Sequence, residues 1–366
     1  MLRAAGTYDS GAHPRIRVLL EGLARRGWTV QEVVEPLRFD TRRRVEVLRR
    51  PSRLPAFGWA LVRAWSRLGP RLVSARRGPA PDAVVVGHMG HFDVALVRAL
   101  SPRCPVVLDY LISGAGTARD RGEQGRVKQR LLRALDRFAL ARADVVVVDT
   151  EEHAQALDPD ARRRTVVVAV GADDRWFGAR RNEAAEPDGG GRLRVVFYGV
   201  MTPLQGAGVV AEALRALDGA VDATIVGQGQ DGELVDRLLA DVPRIRRLPW
   251  VQPDDLPALV AEHDVCLGIF GDGEKARLVV PNKAFQGAAA GCVVVTGDTA
   301  PQRRAFGSAA VLVPPGDAAA LAEALRQLAS DPAELARRRS ASRAWADAHF
   351  RPESVVAPLD ERLRAR

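Results

Sequence analysis

Short apolar runs alternate with longer amphipathic stretches along most of the chain. The runs are five or six residues long and most are rich in Val, which is typical of buried parallel strands, whereas the stretches between them carry apolar residues at helical spacing. We therefore predict an α/β fold in which helices cover parallel sheets. The predicted strands are residues 2–6, 29–34, 82–87, 105–109, 144–149, 165–170, 194–199, 223–227, 265–270, 292–297 and 309–313.

The predicted strands fall into two series of similar size, separated by the polar segment 179–191. A segment with this content of Gly, Asp and Glu is typical of a loop between domains. The pattern thus predicts two Rossmann-like domains facing a central cleft, at 1–178 and 193–340, joined by a linker at 179–192. The amphipathic segment 341–366 is expected to be helical and able to cross back to the N-terminal domain.

The composition fits this organisation and excludes several classes of protein. Of the 366 residues, 47% are hydrophobic and 27% are charged, which supplies enough apolar material for two cores. No apolar run approaches the ~20 residues of a membrane span and the start of the chain lacks the apolar stretch of a signal peptide, so we expect a cytoplasmic protein. Cys104, Cys266 and Cys292 form no Cys-x-x-Cys pair, which favours buried thiols over a disulfide framework or a metal site.

The net charge of +9 resides in the first half of the chain. Residues 1–177 contain 31 Lys or Arg against 20 Asp or Glu, whereas the remaining residues contain 23 against 25. Only three of the 54 basic residues are lysines, a bias that reflects genome composition, so the basic count alone does not indicate nucleic-acid binding. Few aromatic residues are interleaved with the basic ones, so we do not expect a nucleic-acid partner.

Segment 42–77 contains eleven arginines and one acidic residue. A helical reading from Trp59 places an apolar stripe beside a basic one. Such a helix can bind peripherally to the inner face of an anionic membrane. Alternatively, its apolar stripe packs on the N-terminal sheet, and both interpretations are open. The apolar stripe consists of Leu61, Trp65, Leu68 and Leu72, and the basic stripe consists of Arg63, Arg67 and Arg71.

The most informative polar segment follows the apolar strand 265–270. Open parallel sheets bind ligands at the carboxyl ends of their strands. A helix predicted to begin near Asn282 also points its first backbone N–H groups to that edge. The segment is therefore suited to a diphosphate, and its candidate ligands are Glu274, Lys275, Arg277, Asn282 and Lys283.

A glycine-rich pattern, Gly227-x-Gly229-x-x-Gly232, follows another strand. Its spacing is that of a dinucleotide-binding turn, which normally follows the first strand of its domain and precedes an acidic residue by ~20 positions. This one follows the second strand of its series. A tight strand-to-helix turn is therefore the favoured interpretation.

In order and spacing, the segments of the chain resemble one family: retaining, nucleotide-sugar-dependent glycosyltransferases of the two-domain GT-B fold, close to family 4 (group 1). The resemblance covers nearly the whole chain. It implies transfer of a sugar from a nucleoside diphosphate to a hydroxyl acceptor, in glycan or glycoconjugate biosynthesis, with retention of anomeric configuration and with neither a cofactor nor an obligatory metal. The segments are SGAHPRIRVLLEGLARRGWTV, ADVVVVDTEEHAQAL, VGADDRWF, VVFYGVMTPLQG, ATIVGQGQ, DVCLGIFGDGEKARLVVPNKAFQGAAAGCVVVTGD and AAVLVPPGD.

The chain departs from the family pattern at four positions. Leu278 and Gln286 stand where the family has a pair of glutamates, and Val200 and Gln205 stand where it has the Arg and Lys that clamp the diphosphate. We expect Gln286 to contact the nucleotide ribose through its amide, and Glu274 to take the acidic role. The expected replacement cations are Lys275, which we also assign a catalytic role, Arg277 and Lys283.

Further candidates lie at strand ends, where Gly11, Gly199 and Gly227 allow a donor to approach the backbone closely. In the N-terminal domain, Asp109 stands where relatives carry a sugar-contacting histidine, and it joins His91 as a candidate catalytic residue. Helix capping is the alternative for the polar run after Asp109. The candidate acceptor-side residues are His88, Ser113, Asp120 and Arg121.

Two other functions fit parts of the sequence. A GT-B-like epimerase would use a similar nucleotide cleft without an acceptor. A non-catalytic relative that binds a nucleotide or a membrane would explain the missing glutamates and clamp, although the charged loop 274–283 argues against it.

Overall fold

The chain folds into two compact units. Unit 1 comprises Met1–Val168 together with Val356–Arg366, and unit 2 comprises Ala169–Val355. Each contains one six-stranded parallel sheet with accompanying helices, which confirms the predicted fold class of two Rossmann-like domains. The computed structural model describes residues 1–8, 14–37, 54–87, 90–111, 113–114, 116, 125–181 and 191–365.

The sheet of unit 1 has the strand order β2-β1-β3-β4-β5-β6. Its strands are β1 (Leu2–Gly6), β2 (Val30–Val34), β3 (Ala83–Val86), β4 (Val106–Asp109), β5 (Val145–Val148) and β6 (Thr165–Val167). The helices between them are α1 (Pro14–Arg25), α2 (Leu54–Ser74), α3 (Asp93–Leu100), α4 (Arg126–Leu140), α5 (Glu151–Gln155) and α6 (Pro159–Arg163). Three further residues, Ala75–Arg77, extend α2 as a short 3-10 helix.

The four inner strands of this sheet are buried on both faces. Val84 of β3 packs in one cluster with Leu68 and Leu72 of α2. Val85, the next residue, points to the opposite face and is also buried. Strands buried on both faces read as continuous apolar runs, which is why β3 to β5 were apparent from the sequence.

The apolar stripe of α2 belongs to this core. Leu61, Leu68 and Leu72 are buried, so the stripe packs on the sheet and is not available to a membrane. Of the neighbouring basic stripe, Arg67 and Arg71 both lie within ion-pair distance of Glu35. In the described part of segment 42–77 the apolar stripe therefore packs on the core, as the second interpretation expects. Residues 42–53 lie outside the described residues, and membrane contact through the segment stays a prediction.

The sheet of unit 2 has the strand order β12-β11-β10-β7-β8-β9. Its strands are β7 (Arg194–Tyr198), β8 (Asp222–Val226), β9 (Ile245–Leu248), β10 (Val265–Leu267), β11 (Val293–Gly297) and β12 (Ala310–Val313). Its helices are α7 (Asp174–Gly178), α8 (Ala207–Leu217), α9 (Gly232–Leu239), α10 (Leu256–Ala261), α11 (Asn282–Ala289), α12 (Ala300–Phe306), α13 (Ala318–Ser330), α14 (Pro332–His349) and α15 (Pro352–Val355). Short 3-10 helices occupy Pro203–Gln205 and Glu274–Arg277.

The unit boundaries differ from the predicted domain boundaries at 178 and 341. Unit 1 ends at Val168 because α7 packs within unit 2, where the Trp176 ring stacks on Tyr198. The last helix, α16 (Ala357–Arg364), belongs to unit 1, where its Asp360 accepts hydrogen bonds from Arg26 and Trp28. Within the described part of the chain, no helix is long and apolar enough to cross a membrane.

Candidate functional site

The carboxyl edge of the unit 2 sheet contains a point where the strand order reverses. The chain passes from β7 to β8 and β9 on one side and then returns to β10, β11 and β12 on the other. The loops after β7 and β10 therefore run in opposite directions and leave a crevice between neighbouring strands, which is where open α/β sheets bind ligands. Gly199 follows β7, and the loop after β10 leads through Glu274–Arg277 to α11.

Two buried polar atoms converge beside Gly199. A methyl group built on Gly199 would lie 3.9 Å from Gln205 Oε1 and 4.0 Å from Lys283 Nζ. Neither atom has a hydrogen-bond partner among the described residues. Burying a polar group without a hydrogen-bond partner costs free energy. Two such groups beside the same glycine therefore favour this place as the binding site of a polar ligand.

Lys283 is the basic residue beside Gly199. It lies in the first turn of α11 with 5% of its surface exposed, and its Nζ sits 3.7 Å from the centroid of the Phe197 ring. Burial lowers the pKa of the ammonium to about 7, with an opposing contribution from Cys266. Burial also raises the pKa of the Cys266 thiol to about 12, so this sulfur remains protonated and donates to the Lys283 carbonyl oxygen.

The other residues of the predicted diphosphate loop are less buried than Lys283. Glu274 and Arg277 are exposed on the short 3-10 helix, while Lys275 and Asn282 are half-buried. The structure thus brings one of the three proposed replacement cations, Lys283, against Gly199. Helix α11 begins at Asn282, where the sequence predicts it.

Gln286, the predicted ribose contact, is buried on α11. Its Oε1 accepts a hydrogen bond of 3.0 Å from the Tyr198 hydroxyl. The Tyr198 ring in turn stacks on Trp176, with ring centroids 6.1 Å apart. The Gln286 side-chain carbonyl oxygen is thus engaged in holding Tyr198.

Gly227 and Gly229 serve the packing of two loops. A methyl group on Gly227 would lie 2.0 Å from the Gly199 carbonyl oxygen, and one on Gly229 would lie 2.3 Å from the Met201 carbonyl oxygen. Met201 and Gly229 pair as an isolated parallel bridge. The glycine pattern therefore forms a tight strand-to-helix turn, as predicted, and Gly227 supports the backbone of Gly199.

A pocket of about 340 Å³ opens beside these loops, between the starts of α8 and α9. Gly199, Gln205 and Lys283 are not among its lining residues. Its polar lining includes Glu212 and Asp231, and burial raises the pKa of the Asp231 carboxyl. An acidic lining does not suit a diphosphate, so we place the candidate anion site at Gly199 and Lys283.

In unit 1, a second polar cluster brings His91 and Ser113 together on Asp136 of α4. The Ser113 hydroxyl donates to Asp136 Oδ2 at 2.9 Å and the Gly114 N–H donates to Oδ1 at 3.0 Å. His91 Nε2 lies 3.2 Å from Oδ1, at ion-pair distance without hydrogen-bond geometry, and its ring packs against Tyr110. Burial raises the pKa of the Tyr110 hydroxyl, and the Asp136 carboxylate raises it further.

Asp109, the other candidate catalytic residue of unit 1, lies in a buried ion pair. Its Oδ1 accepts from Arg15 Nε at 3.2 Å, and both side chains are fully buried. Burial raises the pKa of the Asp109 carboxyl and Arg15 opposes the shift. This environment favours a structural role for Asp109 over contact with a sugar. The candidates Gly11, His88, Asp120 and Arg121 lie outside the described residues.

Sequence reasoning missed Asp136 and Phe197. Asp136 is the one acidic residue of α4, and its helical neighbours Leu132, Ala139 and Leu140 are buried, a position that could have marked it as an inward-facing carboxylate. Phe197 is one residue of an apolar strand, and no local signal distinguishes it from its neighbours.

Two family models together match most of the chain. Residues 10–172 match a glycosyl transferase 4-like domain, and residues 192–331 match the glycosyl transferases of group 1. The chain belongs to the group 1 glycosyltransferases. Among curated protein sequences, none matches this glycosyltransferase.

Solved structures of similar fold cover the whole glycosyltransferase. At 14–15% identity the likeness shows the fold alone, and that fold is GT-B. Sucrose-phosphate synthase from Thermosynechococcus elongatus aligns with a TM-score of 0.70 and 15% identity, over 100% of this chain and 98% of its own. HepE of Anabaena in complex with UDP-glucose aligns with a TM-score of 0.69 and 15% identity, over 100% of this chain and 99% of its own. A UDP-forming trehalose-phosphate synthase from Burkholderia xenovorans was solved in complex with glucose-6-phosphate. It aligns with a TM-score of 0.71 and 14% identity, over 100% of this chain and 99% of its own.

Proposed function

We propose that this glycosyltransferase takes its sugar from a nucleoside diphosphate bound by unit 2, and transfers it with retention to a hydroxyl acceptor contacted by unit 1. One observation carries the proposal. The buried Lys283 ammonium has no hydrogen-bond partner among the described residues and faces the space beside Gly199, at the reversal point of the sheet. A diphosphate there would supply the missing partner.

Lys283 also accounts for the absent diphosphate clamp. Gln205 stands where the family pattern has a cationic residue, and the Lys283 Nζ and Gln205 Oε1 lie within about 4 Å of the same point beside Gly199. A lysine from α11 thus brings a positive charge to the place that the loop after β7 leaves neutral. The N-terminus of α11 adds its helix dipole with the same sign.

These groups act on the charge that develops during transfer. As the bond between the anomeric carbon and the phosphate oxygen breaks, the sugar becomes oxocarbenium-like and the diphosphate gains negative charge. Lys283 stabilises that charge, and loss of one such donor costs about 2.7–4 kcal/mol of barrier, as in oxyanion holes. The acceptor oxygen then bonds to the same face of the anomeric carbon, and its proton passes to the leaving phosphate oxygen.

Two structural neighbours support the choice of donor. HepE was solved with UDP-glucose, and the trehalose-phosphate synthase is named as UDP-forming. In unit 1 we assign the acceptor side to His91 and Ser113, because Asp136 holds both at the carboxyl ends of β3 and β4.

A panel of nucleotide sugars tests the proposal, with and without hydroxyl acceptors. We expect one donor to bind by titration calorimetry and to yield a glycoside whose anomeric coupling in proton NMR matches that of the donor. Lys283→Met should weaken nucleoside diphosphate binding at least tenfold, whereas Lys128→Met, the matched change in unit 1, should leave it unchanged. Inversion of configuration would contradict retention, and interconversion of the donor without an acceptor would identify an epimerase.

A further inference from the structure

Helix α4 carries an apolar stripe that the core of unit 1 does not use. The stripe follows helical spacing of 4, 3 and 4 residues, so its members share one face of the helix. Val127 is 81% exposed, Leu131 is 66% exposed and Phe138 is 40% exposed. Ala134 between them is also exposed.

The core-facing side of α4 lies on the opposite side of the helix. Its buried residues Gln129, Leu132, Asp136, Ala139 and Leu140 average about 160° away from the exposed stripe at 100° per residue. The exposed stripe is therefore not the margin of the buried face. It is a second apolar surface that points away from unit 1.

Arginines flank this surface in the same register. Each member of the apolar stripe is preceded by an exposed arginine, which produces a basic stripe alongside it. None of these arginines forms an ion pair with a carboxylate in the part of the chain that the structure describes, and the only acid of α4, Asp136, faces inward. A further guanidinium, that of Arg142, lies 3.4 Å above the Phe138 ring. The basic stripe consists of Arg126, Arg130, Arg133 and Arg137.

We propose that this face of α4 docks on an anionic lipid surface. A helix that lies in a membrane interface buries apolar side chains among acyl chains while its arginines meet anionic headgroups, and α4 places both kinds of residue side by side. A second copy of the chain would set one arginine stripe against another, which is repulsive. A nucleic acid would contact the arginines through its phosphates but would not bury the exposed Val, Leu and Phe side chains.

Helix α2 provides a contrast within the same unit. It has a comparable number of arginines, but Leu61, Leu68 and Leu72 of its apolar stripe are buried in the core, and Arg67 and Arg71 face Glu35. Removing the same number of arginines from α2 and from α4 therefore gives a direct comparison. A general attraction between a basic protein and anionic lipid would weaken equally in both variants, whereas a specific docking surface on α4 would be lost only in the α4 variant.

Sedimentation of the full chain with vesicles tests the proposal. Vesicles of phosphatidylglycerol and phosphatidylcholine should bind the protein at low salt and release it at high salt, whereas pure phosphatidylcholine should bind little. Replacing Arg130, Arg133 and Arg137 together by Gln should weaken binding about a hundredfold, since each arginine near the surface contributes about fivefold, or about 1 kcal/mol. The matched control replaces the three α2 arginines, at 63, 67 and 71, by Gln and should cost less than tenfold.

Leu131→Gln tests the apolar part separately and is tolerated by the fold because the side chain is exposed. It should weaken vesicle binding without changing the melting temperature. The proposal is overturned if wild-type protein ignores anionic vesicles, if the α2 and α4 variants lose binding equally, or if Leu131→Gln leaves it intact. A dimer in sedimentation velocity that Leu131→Gln dissociates would instead assign the surface to self-association. None of these outcomes depends on glycosyl transfer.

Discussion

The Lys283 ammonium lies 3.7 Å from the centroid of the Phe197 ring and has no hydrogen-bond acceptor among the described residues. The aromatic face offers the cation partial compensation for lost water. That compensation is incomplete, because burial still lowers the pKa of Lys283 to about 7. A bound diphosphate would restore full compensation, so the protonation of Lys283 and nucleotide binding are expected to be linked.

The first prediction is that nucleoside diphosphate binding takes up a proton. Above pH 7 the free protein holds Lys283 largely neutral, and an anion beside it raises its pKa. The affinity should therefore fall between pH 7.5 and 9 by up to about tenfold per pH unit. Titration calorimetry in buffers of different ionisation enthalpy measures the proton directly. Lys283→Met should abolish the uptake, and constant affinity over this range would contradict the linkage.

The second prediction concerns the free energy of unfolding. Lys283 has a lower pKa in the folded chain than its ordinary 10.5, so between pH 7 and about 10.5 the unfolded chain binds more protons. The contribution of Lys283 to stability therefore rises with pH in this window, by up to about 1.4 kcal/mol per pH unit, and stays at its minimum below pH 7. Lys283→Met should raise the melting temperature at pH 7 by several degrees and should raise it less at pH 9. Equal shifts at the two pH values would show that the amine is not desolvated.

The third prediction separates backbone strain from occupation of the site. Gly199 has φ +132° and its missing side chain would point at Gln205 and Lys283, whereas Gly191 has φ +74° with nothing within 4 Å. Alanine at either position costs about 1–3 kcal/mol of strain. We expect Gly199→Ala to weaken nucleoside diphosphate binding at least tenfold and Gly191→Ala to leave it unchanged, by calorimetry. Similar binding by both variants would place the diphosphate elsewhere.

Most strands of the two sheets could be predicted from the sequence, and one strand of unit 2 could not. Eleven of the twelve strands coincide with predicted runs. Most of these runs are continuously apolar, because the inner strands of a parallel sheet are covered on both faces. The exception is β9, which reads Ile-Arg-Arg-Leu at the edge of the sheet and is only partly buried. An edge strand needs no continuous apolar run, so its signal is weaker.

The candidate site was predictable only in part. The position of Lys283 after a strand and at a helix start predicted its location at the carboxyl edge of the sheet, since loops at the carboxyl ends of strands meet at one edge. The sequence could not show that Lys283 is buried whereas Arg277 is exposed. The burial of Lys283 depends on its packing against Phe197, which lies on a strand about 86 residues earlier in the chain. The partnership of His91 with Asp136 likewise joins distant segments and leaves no local pattern.

The fourth prediction concerns the cluster around Asp136. The Asp136 carboxylate positions Ser113 and the backbone of Gly114, and it lies 3.2 Å from His91. If this cluster contacts the acceptor, Asp136→Asn should lower sugar transfer at least tenfold and raise the KM for the acceptor, while nucleoside diphosphate affinity stays unchanged. His153→Gln, another carboxylate-paired histidine of unit 1, serves as the control and should behave as wild type. A parallel loss of nucleotide affinity would exclude an acceptor role.

The last prediction decides what Asp109 does. Its carboxylate and the Arg15 guanidinium are both fully buried, and Arg15 also donates to the Val168 carbonyl oxygen at 2.8 Å. Removing one member of a buried pair leaves the other charge uncompensated, which costs about 3–5 kcal/mol. Asp109→Asn should therefore lower the melting temperature by about 10 °C.

Replacing both partners removes both charges, so Arg15→Met combined with Asp109→Asn should cost less than the sum of the two single changes. Differential scanning calorimetry of the four proteins in this cycle measures the coupling. A catalytic Asp109 would behave differently: Asp109→Asn would abolish transfer with little change in melting temperature, and the two substitutions would add. Non-additivity of 1 kcal/mol or more, of the order seen for contacting residues, would place Asp109 in the structural framework of unit 1 and leave His91 as its candidate catalytic residue.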